Sequence, residues 1–134
     1  MLDLSKTAFE ELIAELFVRM GFEVDLLRPT KDDGMDFFAV QYDGTSDPIV
    51  LAVQAKHPDR REGSSRRSTL PVTTVREVYG VSKAWDLAGA IAVTSSEYSR
   101  EAKSFADLKP DEISLACAED VVEWVRRYRW NHDE

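Results

Sequence analysis

The feature that most constrains the fold is a short run, IVLAVQAK at positions 49–56, which is apolar almost throughout and ends in a lysine. A run of this length and composition, bounded by turn residues, predicts a β-strand. Because it is nearly continuous in apolar residues, we expect it at the centre of a sheet, covered on both faces. Lysine is among the residues least often fully buried, so Lys56 at the end of such a strand requires an explanation.

Helix and strand patterns alternate along the rest of the chain. Apolar residues recur at helical spacing between Phe9 and Met20, with Ser5 as a suitable N-cap and Gly21 as a suitable stop. The predicted elements are a helix at about 5–20, strands at 22–28, 35–42 and 49–56, a helix at 72–85, a strand at 89–95, a helix at 96–108, a strand at 112–117 and a helix at 118–129. Their order, α-β-β-β-α-β-α-β-α, predicts an α/β fold with one mixed β-sheet flanked by helices.

The composition is that of one globular domain spanning residues 1–134. Hydrophobic residues make up 43% and charged residues 31%, which argues against a disordered chain. A single cysteine, Cys117, excludes an intrachain disulfide and disfavours a cysteine-based zinc site. The sequence has no apolar run long enough for a membrane span and no signal-peptide pattern, so we expect a cytoplasmic protein.

The charge distribution bears on nucleic-acid binding in two opposite ways. The net charge of -8 argues against a nonspecific nucleic-acid binder, because neutralising phosphates requires clustered Lys and Arg. The stretch 56–67 is nevertheless basic, with its acidic side chains outnumbered. The candidate DNA-binding residues within it are Arg60, Arg61, Arg66 and Arg67. The alternative is a solvated loop, because charge runs usually lie on the surface.

A candidate catalytic site follows from the hairpin predicted between the second and third strands. In an antiparallel hairpin the start of one strand lies beside the end of the other, so Asp36 meets the segment Gln54–Lys56. Mg²⁺ prefers oxygen ligands, and the Asp36 carboxylate, the Gln54 amide and the backbone carbonyl of Ala55 can supply them. Lys56 is then placed to orient or help deprotonate an attacking water and to offset charge in the transition state.

Glu10 of the first helix is a further candidate metal ligand. It falls at the border of the apolar stripe of that helix, whereas Glu11 falls on the solvent side. Each candidate also has an ordinary interpretation: Asp36 as a strand cap, Lys56 as the point where a strand enters water, and Glu10 as a helix-surface acid. Their combination at one end of a predicted hairpin favours metal-dependent phosphodiester hydrolysis.

These motifs resemble the Mrr-type branch of the PD-(D/E)xK nucleases, the restriction-endonuclease-like domains of modification-dependent restriction enzymes. The resemblance extends over about residues 7–125. The stretches that carry it are Phe9-Glu10, Gly21-Phe22, Asp33-Gly34-Met35-Asp36, Val53-Gln54-Ala55-Lys56, VREVYGV and GAIAVTSSEYSREAKSFA. It implies the restriction-endonuclease-like fold, with a mixed sheet flanked by helices.

The resemblance also implies a role for each candidate. Asp36 matches the catalytic aspartate, Gln54 the position that is Asp or Glu in most of the superfamily, and Lys56 the catalytic lysine. Glu10 matches the acidic residue of the first helix. Asp33 is interpreted as a turn residue or as one that supports the ligands. Met35 departs from the family pattern, which usually has a second glycine there.

The expected function is therefore that of an Mg²⁺-dependent DNA endonuclease, with Mn²⁺ as a substitute, serving as the cleavage domain of a restriction or defence system. Two alternatives stay open. One is a structure-selective nuclease such as a junction resolvase, and the other is a catalytically silent module that binds nucleic acid or protein. DNA is the expected partner, and a homodimer and a fused or associated recognition domain are both compatible with the resemblance.

Overall fold

The computed structural model describes residues 5–25, 36–42, 44, 47–58 and 68–128. The elements are α1 (Lys6–Arg19), β1 (Glu23–Asp25), β2 (Phe37–Gln41), β3 (Ile49–Lys56), α2 (Val72–Ala84), β4 (Gly89–Thr94), α3 (Arg100–Leu108), β5 (Ile113–Ala116) and α4 (Ala118–Arg127). Their order is the one that the sequence predicts, and the mixed α/β architecture is confirmed.

Within the described residues, the strands form one sheet in the order β1-β2-β3-β4-β5. The first three strands pair in an antiparallel manner, whereas β3, β4 and β5 are parallel to one another. The apolar run at 49–56 is therefore the central strand, as expected. Its register places Val53 opposite Phe37 on β2 and Ala55 beside Val93 on β4.

Two apolar clusters cover the two faces of the sheet. On one face, four fully or almost fully buried residues of α1 pack with Val121 of α4: Phe9, Ile13, Leu16 and Phe17. On the other face, Val75 and Val78 of α2 pack with Ala102 of α3. Burying one such large side chain contributes about 1.5–3 kcal/mol, so the two clusters fix the helices to the sheet.

The first helix begins and ends where its sequence predicts. The Ser5 side chain accepts a hydrogen bond of 3.0 Å from the backbone N–H of Ala8, which caps the helix start. After the C-cap Met20, Gly21 adopts a φ of +105°, a conformation that favours glycine. None of the helices in the described ranges is long and apolar enough to cross a bilayer.

The third helix begins at Arg100, four residues later than the predicted start at 96. Tyr98 instead forms an isolated parallel bridge with Leu70, and its ring is buried. Ser99 is the N-cap, and its side chain accepts from the N–H of Ala102 at 3.1 Å. The bridge holds the chain in an extended conformation, which postpones the helix to the residue after the cap.

Candidate active site

The start of β2 lies beside the end of β3, as the hairpin predicts. The backbone N–H of Asp36 donates to the carbonyl oxygen of Val53 at 2.8 Å. The carboxylate of Asp36 accepts in return from the N–H of Ala55, with 2.6 Å between nitrogen and Oδ2. The side-chain amide of Gln54 donates to the same oxygen at 3.3 Å. The structure therefore brings Asp36, Gln54 and Ala55 together at one end of the sheet.

The contact between Asp36 and Ala55 fixes the direction of the carboxylate. A short hydrogen bond from a backbone N–H to a charged oxygen is stronger than a neutral one. Because the donor belongs to β3, the carboxylate is hydrogen-bonded to a strand that is paired on both sides. Asp36 is half-buried, so the residue is still partly accessible to solvent.

Gln54 is buried, with 6% of its surface exposed. A buried amide costs stability unless it is hydrogen-bonded, and its bond to Asp36 meets part of that requirement. Since the nitrogen donates to Asp36, the amide oxygen is the atom that Gln54 has for a cation. Ala55 likewise donates through its N–H, and its carbonyl oxygen is the atom that could bind a cation.

Lys56 is the last residue of β3 and is exposed. The lysine is therefore not buried despite the apolar run that precedes it. Successive side chains of a strand point to opposite faces, so Lys56 lies on the side of Gln54. Val53, which precedes Gln54, and Ala55, which lies between Gln54 and Lys56, belong to the core beneath α1.

Glu10 approaches Asp36 from α1. A groove of about 440 Å³ runs between α1 and the first two strands, and Glu10 and Asp36 both line it. Glu10 is half-buried whereas Glu11 is exposed, as the helical periodicity predicts. Glu11 and Glu15 line the groove as well, so it presents four carboxylates, with apolar residues such as Val18 farther along its wall.

The donor set is one of hard oxygen atoms. No group of three or more His, Cys, Asp or Glu within the described ranges is placed to hold a metal ion. Among the described residues, the candidate ligands are Glu10, Asp36 and the neutral oxygens of Gln54 and Ala55. Mg²⁺ commonly binds through one or two carboxylates and keeps several waters, so these residues fit it. They do not fit zinc, which prefers nitrogen and sulfur ligands.

Five predicted site residues lie outside the described residues: Asp33, Arg60, Arg61, Arg66 and Arg67. Their roles stay predictions from the sequence.

The sequence interpretation missed His57 and Ser95. His57 is 5% exposed and shares a hydrogen bond of 2.6 Å between its Nδ1 and the Oγ of Ser95. Its ring also stacks on Phe9, with 5.0 Å between centroids. A histidine directly after Lys56, in a chain that has two histidines, was the available signal. The charged residues that follow it favour a solvated loop at this point of the sequence.

Solved structures with this fold include two restriction endonucleases. The DNA modification-dependent restriction endonuclease AspBHI superposes with a TM-score of 0.72 at 22% identity, over 90% of this chain and 30% of that protein. MspJI, solved with a 27-mer oligonucleotide, gives a TM-score of 0.63 at 22% identity, over 90% of this chain and 27% of its own. The chain thus spans under a third of either enzyme.

A third structure, the protein of unknown function AF1548, superposes with a TM-score of 0.60 at 15% identity, over 93% of this chain and 72% of that protein. At these identities the three structures show a shared fold. No curated protein sequence matches the chain. The model of the Mrr catalytic-domain family, described as restriction endonuclease, matches residues 1–125, nearly the whole sequence. The chain therefore belongs to the Mrr family of restriction endonuclease catalytic domains.

Proposed function

We propose that this chain is an Mg²⁺-dependent DNA endonuclease domain, with Mn²⁺ able to substitute. The observation that carries the proposal is the hydrogen-bonded junction of Asp36 with Gln54 and Ala55, at the end of a groove that Glu10 also lines. The family membership supports a nuclease activity, and the oxygen-rich donor set supports a hard divalent cation.

Each residue then has a role in phosphodiester hydrolysis. Asp36, held by the N–H of Ala55, and Glu10 would hold the cation together with the Gln54 amide oxygen and the Ala55 carbonyl. A bound Mg²⁺ supplies charge neutralisation at the phosphate and lowers the pKa of a coordinated water. Lys56 orients the attacking water and offsets the negative charge that develops at phosphorus.

The bond changes are those of an ordinary hydrolysis. A water molecule gives up one proton as its oxygen forms a bond to phosphorus, the bond from phosphorus to the leaving sugar oxygen breaks, and that oxygen takes up a proton. Lys56 is exposed at the strand end, where a nucleic-acid backbone can reach it. No oxidant, reductant or further reactant is needed.

DNA is the proposed substrate. The oligonucleotide bound by MspJI, which shares the fold, supports a nucleic acid as partner. The arginines between positions 60 and 67 would contact its phosphates. Because the chain covers 30% of AspBHI and 27% of MspJI, we propose that a fused or associated domain supplies target recognition. We also propose a role in restriction or defence and a cytoplasmic location. Homodimerisation is a further option.

Incubation with supercoiled plasmid, with Mg²⁺ and with a chelator, tests this proposal. We expect nicked and linear products with Mg²⁺ or Mn²⁺ and none with the chelator. Cleavage restricted to branched DNA would favour a junction resolvase. Binding without cleavage at any divalent cation concentration would contradict the proposal and favour a silent binding module.

A further inference from the structure

The ring of His57 joins three parts of the fold. It follows directly after β3 and stacks on Phe9 of α1, with an interplanar angle of 17°. Its Nδ1 shares the hydrogen bond with Ser95, the first residue beyond β4. Both His57 and Ser95 are buried. The contacts thus connect one helix with the carboxyl ends of two neighbouring strands.

Each of these contacts lies next to a proposed site residue. Phe9 is fully buried and immediately precedes Glu10 on α1. His57 follows Lys56 and lies two residues beyond Ala55. By the alternation of strand side chains, His57 shares the α1 face with Ala55, while Lys56 points to the other face. The stack is therefore a direct link between the helix with Glu10 and the strand with Lys56.

Packing alone does not explain a histidine here. An apolar side chain would fill the space beside Phe9 without requiring a polar partner. A buried imidazole needs hydrogen-bonding partners, and the short bond to Ser95 fixes the plane of the ring. A ring with a fixed plane gives Phe9 of α1 a defined surface on which to pack.

We infer that His57 is a positioning residue, which holds α1 so that Glu10 and the Asp36–Ala55 junction share one cation. The inference rests on the proposed function and assigns His57 no contact with substrate. Positioning matters because a small misplacement of a ligand can lower activity about 100-fold. Removing a group that orients a metal ligand typically lowers metal affinity or activity by about 10–100-fold.

Four variants separate positioning from bulk stability. His57→Ala removes both the stack and the hydrogen bond, His57→Phe keeps an aromatic ring without the bond, and Ser95→Ala removes the bond alone. Val121→Ala is the matched control, because Val121 is fully buried in the core cluster of the same sheet face but belongs to α4. Each protein is titrated with Mn²⁺ by calorimetry without DNA, assayed for plasmid cleavage across Mg²⁺ concentrations, and melted thermally.

We expect His57→Ala to weaken Mn²⁺ binding and to raise the Mg²⁺ concentration for half-maximal cleavage by about 10–100-fold. His57→Phe and Ser95→Ala should show smaller shifts, so that retained stacking rescues part of the affinity. Val121→Ala should lower the melting temperature and leave both metal dependences at the parent's values. If His57→Ala does not fold, the test is whether the metal dependences of His57→Phe and Ser95→Ala shift more than those of Val121→Ala.

Three results would overturn the inference. Metal dependences unchanged in all His57 and Ser95 variants would remove the positioning role while leaving the proposed function intact. If the metal dependences of Val121→Ala shift as much as those of the His57 variants, His57 acts only through ordinary core packing. A parent that neither binds Mn²⁺ nor cleaves would defeat the proposed function, and the inference with it.

Discussion

The two ends of the sheet carry polar clusters of opposite character. At the carboxyl end of β3, the Asp36 junction has as its neighbour the buried pair His57 and Ser95. At the other end, where β5 begins, Glu112 accepts hydrogen bonds from the Lys83 ammonium and the Tyr79 hydroxyl, both at 2.9 Å. Both clusters join residues that are distant in sequence. They differ in how much water they exclude.

Exposure determines what each cluster can do. The Lys83 and Glu112 side chains retain 59% and 39% of their exposure, so water can solvate either one without its partner. Such surface ion pairs contribute little to stability. Gln54 and His57 are 6% and 5% exposed, and buried polar groups cost stability compared with apolar ones unless they are fully hydrogen-bonded. The presence of these two buried polar residues at one end of the central strand is explained if that end has a chemical task.

The largest effect is expected from Asp36. Asp36→Asn removes the charge that would hold the cation but keeps an oxygen for the N–H of Ala55. We expect cleavage to fall by more than about 1,000-fold, beyond the 10–100-fold typical of groups that only support a ligand. Melting temperature should stay near the parent's. Asp36→Ala also loses the acceptor for Ala55 and should cost about 1–3 kcal/mol in unfolding free energy.

The measurements for Asp36 are plasmid cleavage and thermal melting of the two variants. An Asn variant that cuts at the parent's rate would show that the carboxylate serves structure alone.

The next effect compares two exposed lysines, one at each end of the sheet. Lys56→Ala should reduce cleavage by about 100- to 10,000-fold, the range for a positioned electrostatic or acid–base group. Lys83→Ala should leave cleavage unchanged, because Lys83 pairs with Glu112 far from the junction. Neither change should unfold the protein, because both side chains are exposed. Equal cleavage rates for the two variants would remove the distinction between the sheet ends.

A smaller effect is expected in DNA affinity. Each phosphate contact that is lost reduces the magnitude of the negative slope of log affinity against log salt concentration by about 0.9. We therefore expect weaker binding and a flatter salt dependence when serine replaces the four candidate DNA-binding arginines, which are Arg60, Arg61, Arg66 and Arg67. The matched control replaces Arg126 and Arg127, which pair with Glu123 near the end of α4. Fluorescence anisotropy over a salt series measures both sets, and an unchanged slope for the first would leave that stretch as solvated surface.

The smallest effect concerns the exposed cluster and pH. The hydrogen bond from Lys83, followed by that from Tyr79, lowers the pKa of Glu112 below its usual value. A carboxyl group with a lowered folded-state pKa stabilises the protein above its unfolded pKa, and that contribution is lost as pH falls through the folded pKa. On acidification below about pH 4.3, the parent should therefore lose slightly more melting temperature than Glu112→Gln. Identical acid profiles would show that the pair contributes nothing measurable.

The sequence was sufficient to predict the two strands that form the site, but not the buried contacts that support them. The bounds of β3 at 49–56 could be predicted because a continuous apolar run ends sharply at Lys56. Once β2 was assigned to the same hairpin, its pairing followed, and with it the contact of Asp36 with Ala55. Both inferences depend on local patterns and on a short connection.

The contacts of His57 could not be predicted in this way. Phe9 and Ser95 lie in distant parts of the chain, and their approach depends on how α1 and β4 pack on the sheet. The late start of α3 has the same origin, because the bridge from Leu70 to Tyr98 is a tertiary contact. Helix periodicity predicts that Glu10 is less exposed than Glu11, as observed, whereas the shape of the groove that Glu10 shares with Asp36 depends on how α1 packs on the sheet.

The most direct test of a metal-dependent site at the Asp36 junction is anomalous diffraction from crystals of the protein soaked in Mn²⁺. We predict an anomalous peak within coordination distance of the Asp36 carboxylate and the Ala55 carbonyl, on the side of the groove lined by Glu10. The peak should vanish in Asp36→Asn crystals and persist in Lys83→Ala crystals. Peaks confined to other surfaces, or an Asp36 peak that survives the Asn substitution, would contradict a metal-dependent active site at this end of the sheet.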